Sequence, residues 1–314
     1  MRRFAESPDT PPLSTAVWAP TVRVGRARAP DGTGIHYEVV GQGRNVVLLA
    51  NGLGGRLYAW RPLLDALWAK YRFVTWDYRG LFHSDCPTSN RRLSLADHVD
   101  DARAVLDAEG IGRAALVGWS MGVQVCLDFA ATLPSRVTGL VLLNGTYGHV
   151  FSTGFQPVLS IPWLPRRLHA IVEWLREHPH LAEYLARVSR TLEWPTAALF
   201  ILTAGTRSPE LIPMLRQYMS DVTGPSFVTY LRLFQELDAH SVYHLLPEID
   251  APSLVVSGLL DALTPSFQSA HMARRMKRAR HLHLVRAGHF ALLERPEIVV
   301  PAIEAFLHEE GCPA

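Results

Sequence analysis

The chain has 314 residues, of which 48% are hydrophobic and 19% are charged, and this composition excludes a mainly disordered or fibrous protein. One large domain with an insertion fits this length. The 31 basic and 29 acidic residues leave a net charge of +2, so the chain lacks the excess of positive charge that is typical of nucleic-acid-binding proteins. No apolar run approaches the ~18 residues of a membrane span.

Residues 1–19 are rich in proline, serine and threonine, and we expect them to form a flexible N-terminal arm. They have no apolar core before their prolines, so a secretory signal is not predicted. The 3 cysteines are odd in number and widely spaced, which predicts neither a disulfide framework nor a zinc knuckle. These features favour a reducing, cytoplasmic location.

Strand and helix signals then alternate along the chain. Val22–Arg28 and Gly34–Val40 flank Asp31-Gly32, and both turn residues tolerate positive φ, so a hairpin is predicted. Short apolar runs predict buried strands, and helical spacing of apolar residues predicts helices. The predicted strands are residues 46–50, 72–76, 114–117, 137–143, 254–257 and 282–285, and the predicted helices are residues 58–69, 94–109 and 121–132. This order predicts an α/β fold with a doubly wound, mostly parallel sheet covered on both faces.

The alternation of strands and helices stops at residues 146–247, because this stretch contains almost no strand signal. Apolar residues recur at helical spacing in residues 165–177, and aromatic residues are frequent throughout. We interpret residues 146–247 as a helical cap, or lid, inserted into a core formed by residues 20–145 and 248–314. The aromatic content favours a substrate with an acyl chain or ring, although the same residues would also form the cap's own core.

The motif Gly118-Trp119-Ser120-Met121-Gly122 lies between a predicted strand and a predicted helix. A serine at such a turn is held in a strained backbone conformation, and side chains two residues to either side would collide, so glycine is needed there. The turn presents the hydroxyl at a helix N-terminus, where the dipole and the Met121 N–H favour negative charge. Ser120 is therefore the candidate nucleophile, and Met121 is a candidate oxyanion donor.

A second oxyanion donor is expected in the glycine-rich turn Asn51-Gly52-Leu53-Gly54-Gly55, which follows the strand at residues 46–50. We assign this role to the Leu53 N–H. The alternative is a loop that cradles phosphate, but the turn lacks the Lys-Ser/Thr ending of a P-loop and does not match GxGxxG.

A serine hydroxyl needs a base, and the base needs an anion that fixes its tautomer. His289 follows the last predicted strand, and Asp261 follows the strand before it, so both lie at the carboxyl edge of the sheet with Ser120. Asp250 precedes its strand and is therefore at the wrong edge. The chain order Ser…Asp…His, with each residue after a successive core strand, favours a catalytic role for all three.

The other histidines predict no metal centre. His281 and His283 alternate along a strand, and His240 and His244 are four residues apart, but neither pair has a third ligand or an HExxH pattern. We therefore expect no metal and no other cofactor.

Five motifs follow one another along the chain: the NGLGG turn, Asp77-Tyr78-Arg79-Gly80, GWSMG, GLLDALTP and AGHFALLERPE. In this order they resemble the α/β-hydrolase superfamily, and the resemblance covers residues 20–312. The resemblance implies an eight-stranded, mostly parallel sheet with a helical cap inserted after the sixth strand. It also implies a cofactor-free triad of Ser120, His289 and Asp261, with the N–H groups of Leu53 and Met121 as oxyanion donors.

Two positions depart from the family pattern. Asn51 stands where the oxyanion turn usually opens with histidine, and we expect its amide to hydrogen-bond the turn in the same way. Phe82 stands where the arginine-glycine turn usually has a second glycine, and an aromatic residue at positive φ would be strained. His83 follows it, and a loop histidine at the surface is expected there.

We therefore expect a serine hydrolase, similar to carboxylesterases and lipases, that cleaves an ester-type bond of a small to medium apolar substrate through an acyl-enzyme. C–C bond hydrolases, lactonases, thioesterases and perhydrolases use the same triad, and a hydrolase-fold ligand receptor with little turnover is a further alternative. The candidates for the substrate pocket are Trp119, Asn51 and Phe290, which lie within the motifs, and Tyr147, an aromatic residue of the stretch 146–247. The expected partner is a small molecule, with neither nucleic acid nor a membrane span, and the oligomeric state is left open.

Overall fold

The computed structural model of this chain describes residues 21–89, 92–154, 163–191, 205–206, 208–224 and 226–311. The predicted arm at residues 1–19 and Cys312 lie outside these residues. Among the helices of the described part, none is long and apolar enough to cross a membrane.

Eight strands form one sheet in the order β1-β2-β4-β3-β5-β6-β7-β8. Their bounds are β1 Val22–Arg28, β2 Gly34–Val40, β3 Asn45–Ala50, β4 Tyr71–Trp76, β5 Ala114–Trp119, β6 Val137–Leu143, β7 Ser253–Gly258 and β8 Ala279–Leu284. β2 pairs antiparallel with β1 and β4, whereas every pairing from β4 to β8 is parallel. The predicted hairpin and the mostly parallel eight-stranded sheet are both confirmed.

The sheet is buried on both faces, which explains why its central strands are continuous apolar runs. Along β3, Leu48 and Ala50 belong to one core cluster, whereas Val47 and Leu49 belong to the other. Successive side chains of a strand point to opposite faces, so each strand contributes to both clusters. This doubly covered sheet is the rigid frame on which the loops at its carboxyl edge are built.

Helices cover the sheet. Those before β7 are α1 Arg61–Leu67, α2 Leu95–Ala108, α3 Met121–Thr132, α4 Val150–Thr153, α5 Leu164–Glu177, α6 Pro179–Thr191, α7 Ile212–Val222 and α8 Phe227–Ala239, and those after it are α9 Ser266–Arg275, α10 Ala291–Glu294 and α11 Pro296–Phe306. The cap predicted at Ser94 forms a capping box with Asp97, which explains where α2 begins. The helix predicted at residues 58–69 is instead a 3₁₀ turn, Leu57–Trp60, followed by α1, whose first turn contains Pro62.

Between β6 and β7 the described residues form helices α4 to α8 and no strand that joins the sheet. We call α4 to α8 the insertion helices. Helix α8 buries Tyr230, Leu233 and Leu237, and helix α7 buries Met214 and Leu215. Their packing brings side chains from outside the sheet to the edge where β3, β5 and β7 end.

Candidate active site

Ser120 occupies the turn between β5 and α3 with φ 55° and ψ −116°. A non-glycine residue at positive φ is strained and persists only where the surrounding structure holds it. Here the Ser120 N–H donates to the Leu143 carbonyl at 3.0 Å, and the Ser120 carbonyl accepts from the Val123 N–H at 3.1 Å. The strained backbone expected from the motif is present.

The two glycines of the motif are required by close backbone contacts. A Cβ at Gly118 would lie 2.4 Å from the Gly122 carbonyl oxygen, and a Cβ at Gly122 would lie 2.0 Å from the carbonyl oxygen of Ala50. Real Cβ contacts are never this short. Any larger residue at either position would push α3 away from β3 and β5.

The turn at residues 51–55 lies beside the turn that carries Ser120. Gly54 has φ 82°, and the Gly55 N–H donates to the Gly52 carbonyl at 2.8 Å. The Leu53 carbonyl accepts a hydrogen bond from the Tyr218 hydroxyl at 2.6 Å, so an insertion helix holds the peptide that follows Leu53. Leu53 and Met121 both line the cavity that Ser120 lines, as two oxyanion donors would have to.

Asp261 and His289 are brought together by the loops after β7 and β8. The Asp261 Oδ2 atom lies 2.9 Å from Nδ1 of His289, and both side chains are almost fully buried. The Oδ1 atom accepts the N–H groups of Leu263 and Thr264 at 3.0 and 2.9 Å, and the Thr264 hydroxyl contacts Oδ2 at 2.7 Å. These bonds orient the carboxylate toward Nδ1 of the imidazole, the geometry that selects the tautomer with its proton on Nδ1.

Asn144 was missed by the sequence reasoning. This buried residue follows β6 with φ 43°, and its Nδ2 donates both to Asp261 Oδ2 at 3.0 Å and to the Gly288 carbonyl at 2.9 Å. One amide thus joins the loop that carries Asp261 to the loop that carries His289. Asparagine tolerates the left-handed region better than most residues, but nothing in the local sequence indicates a partner more than 100 positions away.

Glu294 and Trp119 hold His289 from its other sides. The Glu294 carboxylate accepts the N–H groups of Gly288 and Phe290, which flank the histidine, and burial raises the pKa of this carboxyl group. The Trp119 indole N–H donates to the His289 carbonyl at 3.0 Å. Sequence reasoning did not assign Glu294 this role.

A cavity of about 290 Å³ opens beside Ser120 and His289. Its wall is mostly apolar, and among the described residues it includes no Asp, Glu, Lys or Arg side chain. The lining residues are Leu53, Ser120, Met121, Thr146, Val150, Tyr218, Met219, Val222, Phe227, Tyr230, Leu231, Phe234, Leu237, Leu263, Thr264 and His289. Most of the apolar side chains come from the insertion helices, so this segment determines the shape of the cavity.

The four residues expected in the substrate pocket do not line this cavity, and that expectation is corrected. Trp119 and Phe290 pack against each other and against His289, behind the cavity wall. Tyr147 packs on Tyr243, with ring centroids 5.0 Å apart. Asn51 is buried beneath its turn, because its position at the end of β3 points the side chain into the sheet edge.

Both departures from the family pattern have a structural account. The Asn51 Nδ2 donates to Thr75 Oγ1 and to the Trp76 carbonyl, each at 3.0 Å, and Oδ1 accepts the Trp60 indole N–H at 2.7 Å. The amide therefore anchors the start of the turn to β4 and to Trp60, whereas the expected side-chain bond to the turn itself is not among these contacts. Phe82 adopts φ 49°, the strained conformation that the glycine-type position predicts, and its ring lies under the Arg56 guanidinium at 4.9 Å.

His36, Asp77 and His83 form a cluster that sequence reasoning did not predict. The Nδ1 atoms of both imidazoles lie 3.1 Å from Asp77 Oδ2, and the candidate ligand atoms all lie within 4.8 Å of one another. Such a group could hold a metal ion. None of its three residues lines the cavity, so the chemistry considered at Ser120 does not pass through it.

An eight-stranded, mostly parallel sheet with a strained serine between its fifth strand and the next helix defines the class of α/β hydrolases. The family model described as alpha/beta hydrolase fold matches residues 45–296, and the chain belongs to this family.

Comparisons with individual proteins extend this result. A curated relative from Caulobacter vibrioides (strain NA1000 / CB15N), "Putative carbamate hydrolase RutD", is 40% identical over 117 residues, which are 36% of this chain and 42% of the relative. That match therefore spans less than half of the relative's length. The poly(3-hydroxyalkanoate) depolymerase of Ectopseudomonas oleovorans is 29% identical over 266 residues, 84% of each chain. The crystal structure of the enol-lactonase from Burkholderia xenovorans LB400 superposes with a TM-score of 0.68 at 25% identity and covers 90% of this chain and 99% of its own.

Proposed function

We propose that the protein is a serine hydrolase that cleaves ester bonds of small to medium apolar substrates through an acyl-enzyme on Ser120. The observation that carries this proposal is that His289, paired with Asp261 at 2.9 Å, lines the same apolar cavity as Ser120. In this proposal the insertion helices are the cap, or lid, over that cavity.

The proposed reaction begins when the Ser120 Oγ attacks the ester carbonyl carbon and its proton passes to Nε2 of His289. Asp261 keeps the Nδ1 proton in place and stabilises the imidazolium that forms. The N–H groups of Leu53 and Met121 donate hydrogen bonds to the oxyanion of the tetrahedral intermediate. The carbon–oxygen bond to the alcohol then breaks, and His289 returns its proton to the leaving oxygen. A water molecule repeats the sequence at the acyl-enzyme and releases the acid and free Ser120.

The size and polarity of the cavity support an apolar acyl group. The cavity of about 290 Å³ is at the lower end of the range for small-molecule sites, so it has room for a medium-length acyl group. With no charged side chain among its described lining residues, the cavity offers no counter-ion to a charged substrate. The depolymerase and the enol-lactonase named above act, by their names, on polymers or lactones that contain ester bonds, which agrees with this chemistry.

A chain-length series of p-nitrophenyl esters tests the proposal, with a lactone, a thioester and a carbamate beside it. We expect kcat/KM to rise with acyl length to about eight carbons and to fall by twelve or more, because longer chains exceed the cavity. Equal rates for acetate and dodecanoate esters would contradict the assigned acyl site. Faster cleavage of the lactone, the thioester or the carbamate would mean that the protein's preferred scissile bond is that one and not a simple ester bond.

Covalent labelling tests the nucleophile separately. A fluorophosphonate should label the wild type and spare Ser120→Ala, whose turnover we expect to fall by about 10⁶-fold. Ser135→Ala is the matched control, since Ser135 is exposed beside the start of β6, at the opposite edge of the sheet. Equal labelling of Ser120→Ala and the wild type would refute the assignment. Stable acylation after a single burst would favour a ligand receptor over an enzyme.

A further inference from the structure

Two histidines and one aspartate meet at the carboxyl edge of the sheet, outside the cavity beside Ser120. His36 is on β2, Asp77 follows β4, and His83 lies in the loop after Asp77. Nδ1 of each imidazole lies 3.1 Å from Oδ2 of Asp77, and the centroids of the two rings are 4.8 Å apart. The proposed hydrolysis makes no use of these two nitrogens and the carboxylate oxygen on which they converge.

The backbone holds these three residues together without help from the two imidazoles. The Asp77 N–H donates to the His36 carbonyl at 3.0 Å. The buried Ser84 hydroxyl accepts the His36 N–H at 3.0 Å and donates to the Asp77 carbonyl at 2.7 Å. Phe82 adopts φ 49° in the loop, and the His83 N–H that follows donates to Asp77 Oδ2 at 3.1 Å. A site whose backbone is already fixed loses little freedom when it binds an ion.

His36 has a nitrogen atom that is buried and unpaired. Its side chain is 14% exposed, and Nδ1 has no hydrogen-bond partner within the described part of the chain, although Oδ2 of Asp77 is 3.1 Å away. Buried polar atoms are almost always paired, so this nitrogen requires an explanation. The His83 side chain is 60% exposed, which gives an ion a path from solvent to this nitrogen.

The charges around the cluster favour a cation. Glu38 is two residues from His36 and therefore on the same face of β2, and it lies close enough to Asp77 for their charges to interact. Asp221 of helix α7 also interacts with Asp77, and the Arg56 guanidinium interacts with all three carboxylates. When ionised, these three carboxylates and one guanidinium carry a net charge of −2, which a divalent cation neutralises.

We propose that His36, Asp77 and His83 form a binding site for one Zn²⁺ ion, held by two imidazole nitrogens and one carboxylate oxygen. Ligand atoms of a tetrahedral zinc ion are about 3.3–3.4 Å from one another. The separation of 3.1 Å from each Nδ1 to Oδ2 is close to this value, and all three candidate ligand atoms lie within 4.8 Å of one another, so a rotation of the exposed His83 ring completes the set. Two imidazoles and one carboxylate suit Zn²⁺ better than Mg²⁺ or Ca²⁺, which prefer oxygen ligands.

The role of this ion is to fasten the loop after β4 to β2. None of the three ligands lines the cavity, so the ion takes no part in the steps proposed at Ser120. It joins two segments that include the strained Phe82, and it thereby stabilises the folded chain by its binding free energy. This inference goes beyond the proposed function and does not depend on it.

Calorimetric titration of the chelator-treated protein with zinc chloride at neutral pH tests the site. We expect one tight site per chain in the wild type. In His83→Ala the affinity should fall by more than the roughly 10–100-fold that the loss of an outer-shell partner costs. His271→Ala is the matched control, because His271 is an exposed histidine of helix α9 and lies outside the cluster, and its affinity should equal that of the wild type. An excess of magnesium chloride should displace no zinc.

Thermal unfolding of the same proteins gives a second measurement. Zinc at about a hundred times its dissociation constant should raise the Tm of the wild type and of His271→Ala by about 4 °C, the shift that this binding energy produces in a chain of this length. The Tm of His83→Ala should be the same with and without zinc. X-ray absorption of the wild-type zinc form should show nitrogen and oxygen ligands at about 2.0–2.1 Å, with the outer scattering of two imidazoles.

A wild type with no tight site and no shift in Tm would overturn the inference. Equal affinity in His83→Ala and the wild type would overturn it as well, because the ion would then be held by other histidines. A zinc form with fewer than two imidazoles would exclude this ligand set. Fluorophosphonate labelling of Ser120 in metal-free protein tests the proposed function separately, so the two can fail independently.

Discussion

Replacing Asn144 tests whether one amide aligns the proposed acid and base. Asn144→Gly removes the side chain but retains the backbone freedom that φ 43° requires, whereas Asn144→Ala removes the side chain and adds strain. Both variants lose the bonds from Nδ2 to Asp261 and to the Gly288 carbonyl.

The magnitudes follow from those two bonds. A hydrogen bond to a carboxylate contributes about 1.5–3 kcal/mol and one to a neutral carbonyl about 0.5–1.5 kcal/mol, so Asn144→Gly should lower the free energy of unfolding by about 2–4 kcal/mol. Asn144→Ala should be less stable than the glycine variant by about 1–2 kcal/mol, because alanine is strained in the left-handed region. Displacing a catalytic group by about 1 Å reduces rates by about 10²-fold, so both variants should show a kcat reduced to that extent and a nearly unchanged KM.

Urea unfolding gives the stabilities, and initial rates on p-nitrophenyl octanoate give kcat and KM. The key result is that the two variants differ in stability but share the same loss of kcat. Full activity in Asn144→Gly with low activity in Asn144→Ala would refute the reasoning, because backbone conformation and not the amide would then set the position of His289.

Two further predictions concern stability. Phe82→Gly relieves the backbone strain at φ 49°, whereas Phe82→Ala keeps it, and both variants lose the ring beneath Arg56. Thermal or urea unfolding should therefore find the alanine variant less stable than the glycine variant by about 1 kcal/mol. Equal stabilities would mean that the backbone at position 82 is not strained. Burial lowers the pKa of His98 to about 3, so below pH 6.5 the unfolded chain binds a proton that native His98 does not. The free energy of unfolding is therefore unaffected by this group above pH 6.5 and decreases as the pH falls from 6.5 toward 3. Between pH 7 and 5 the wild type should lose about 2 kcal/mol more than His98→Gln in urea unfolding, and equal losses would contradict the buried neutral histidine.

Local sterics explain which parts of the fold and site could be predicted from the sequence. The hairpin at Asp31-Gly32, the cap at Ser94 and the turn at Ser120 depend on residues a few positions apart, and each is present in the structure. The family pattern also located the strain at Phe82, since a φ of 49° is imposed by the turn itself and not by the residue that occupies it.

Contacts between distant segments account for what the sequence could not predict. Asn144 reaches Asp261 across 117 positions, and Tyr218 reaches Leu53 across 165, so neither partner can be inferred from local spacing. The pocket candidates failed for the same reason: adjacency to a motif in the chain does not decide whether a side chain such as Asn51 faces the cavity or the sheet edge. The sequence by itself determined how strands and helices follow one another along the chain and that Ser120 occupies the strained turn after β5, because short-range sterics and apolar periodicity govern both. Only the tertiary structure decided which side chains line the cavity and which hold His289 in place, because those positions follow from how the insertion helices pack on the sheet.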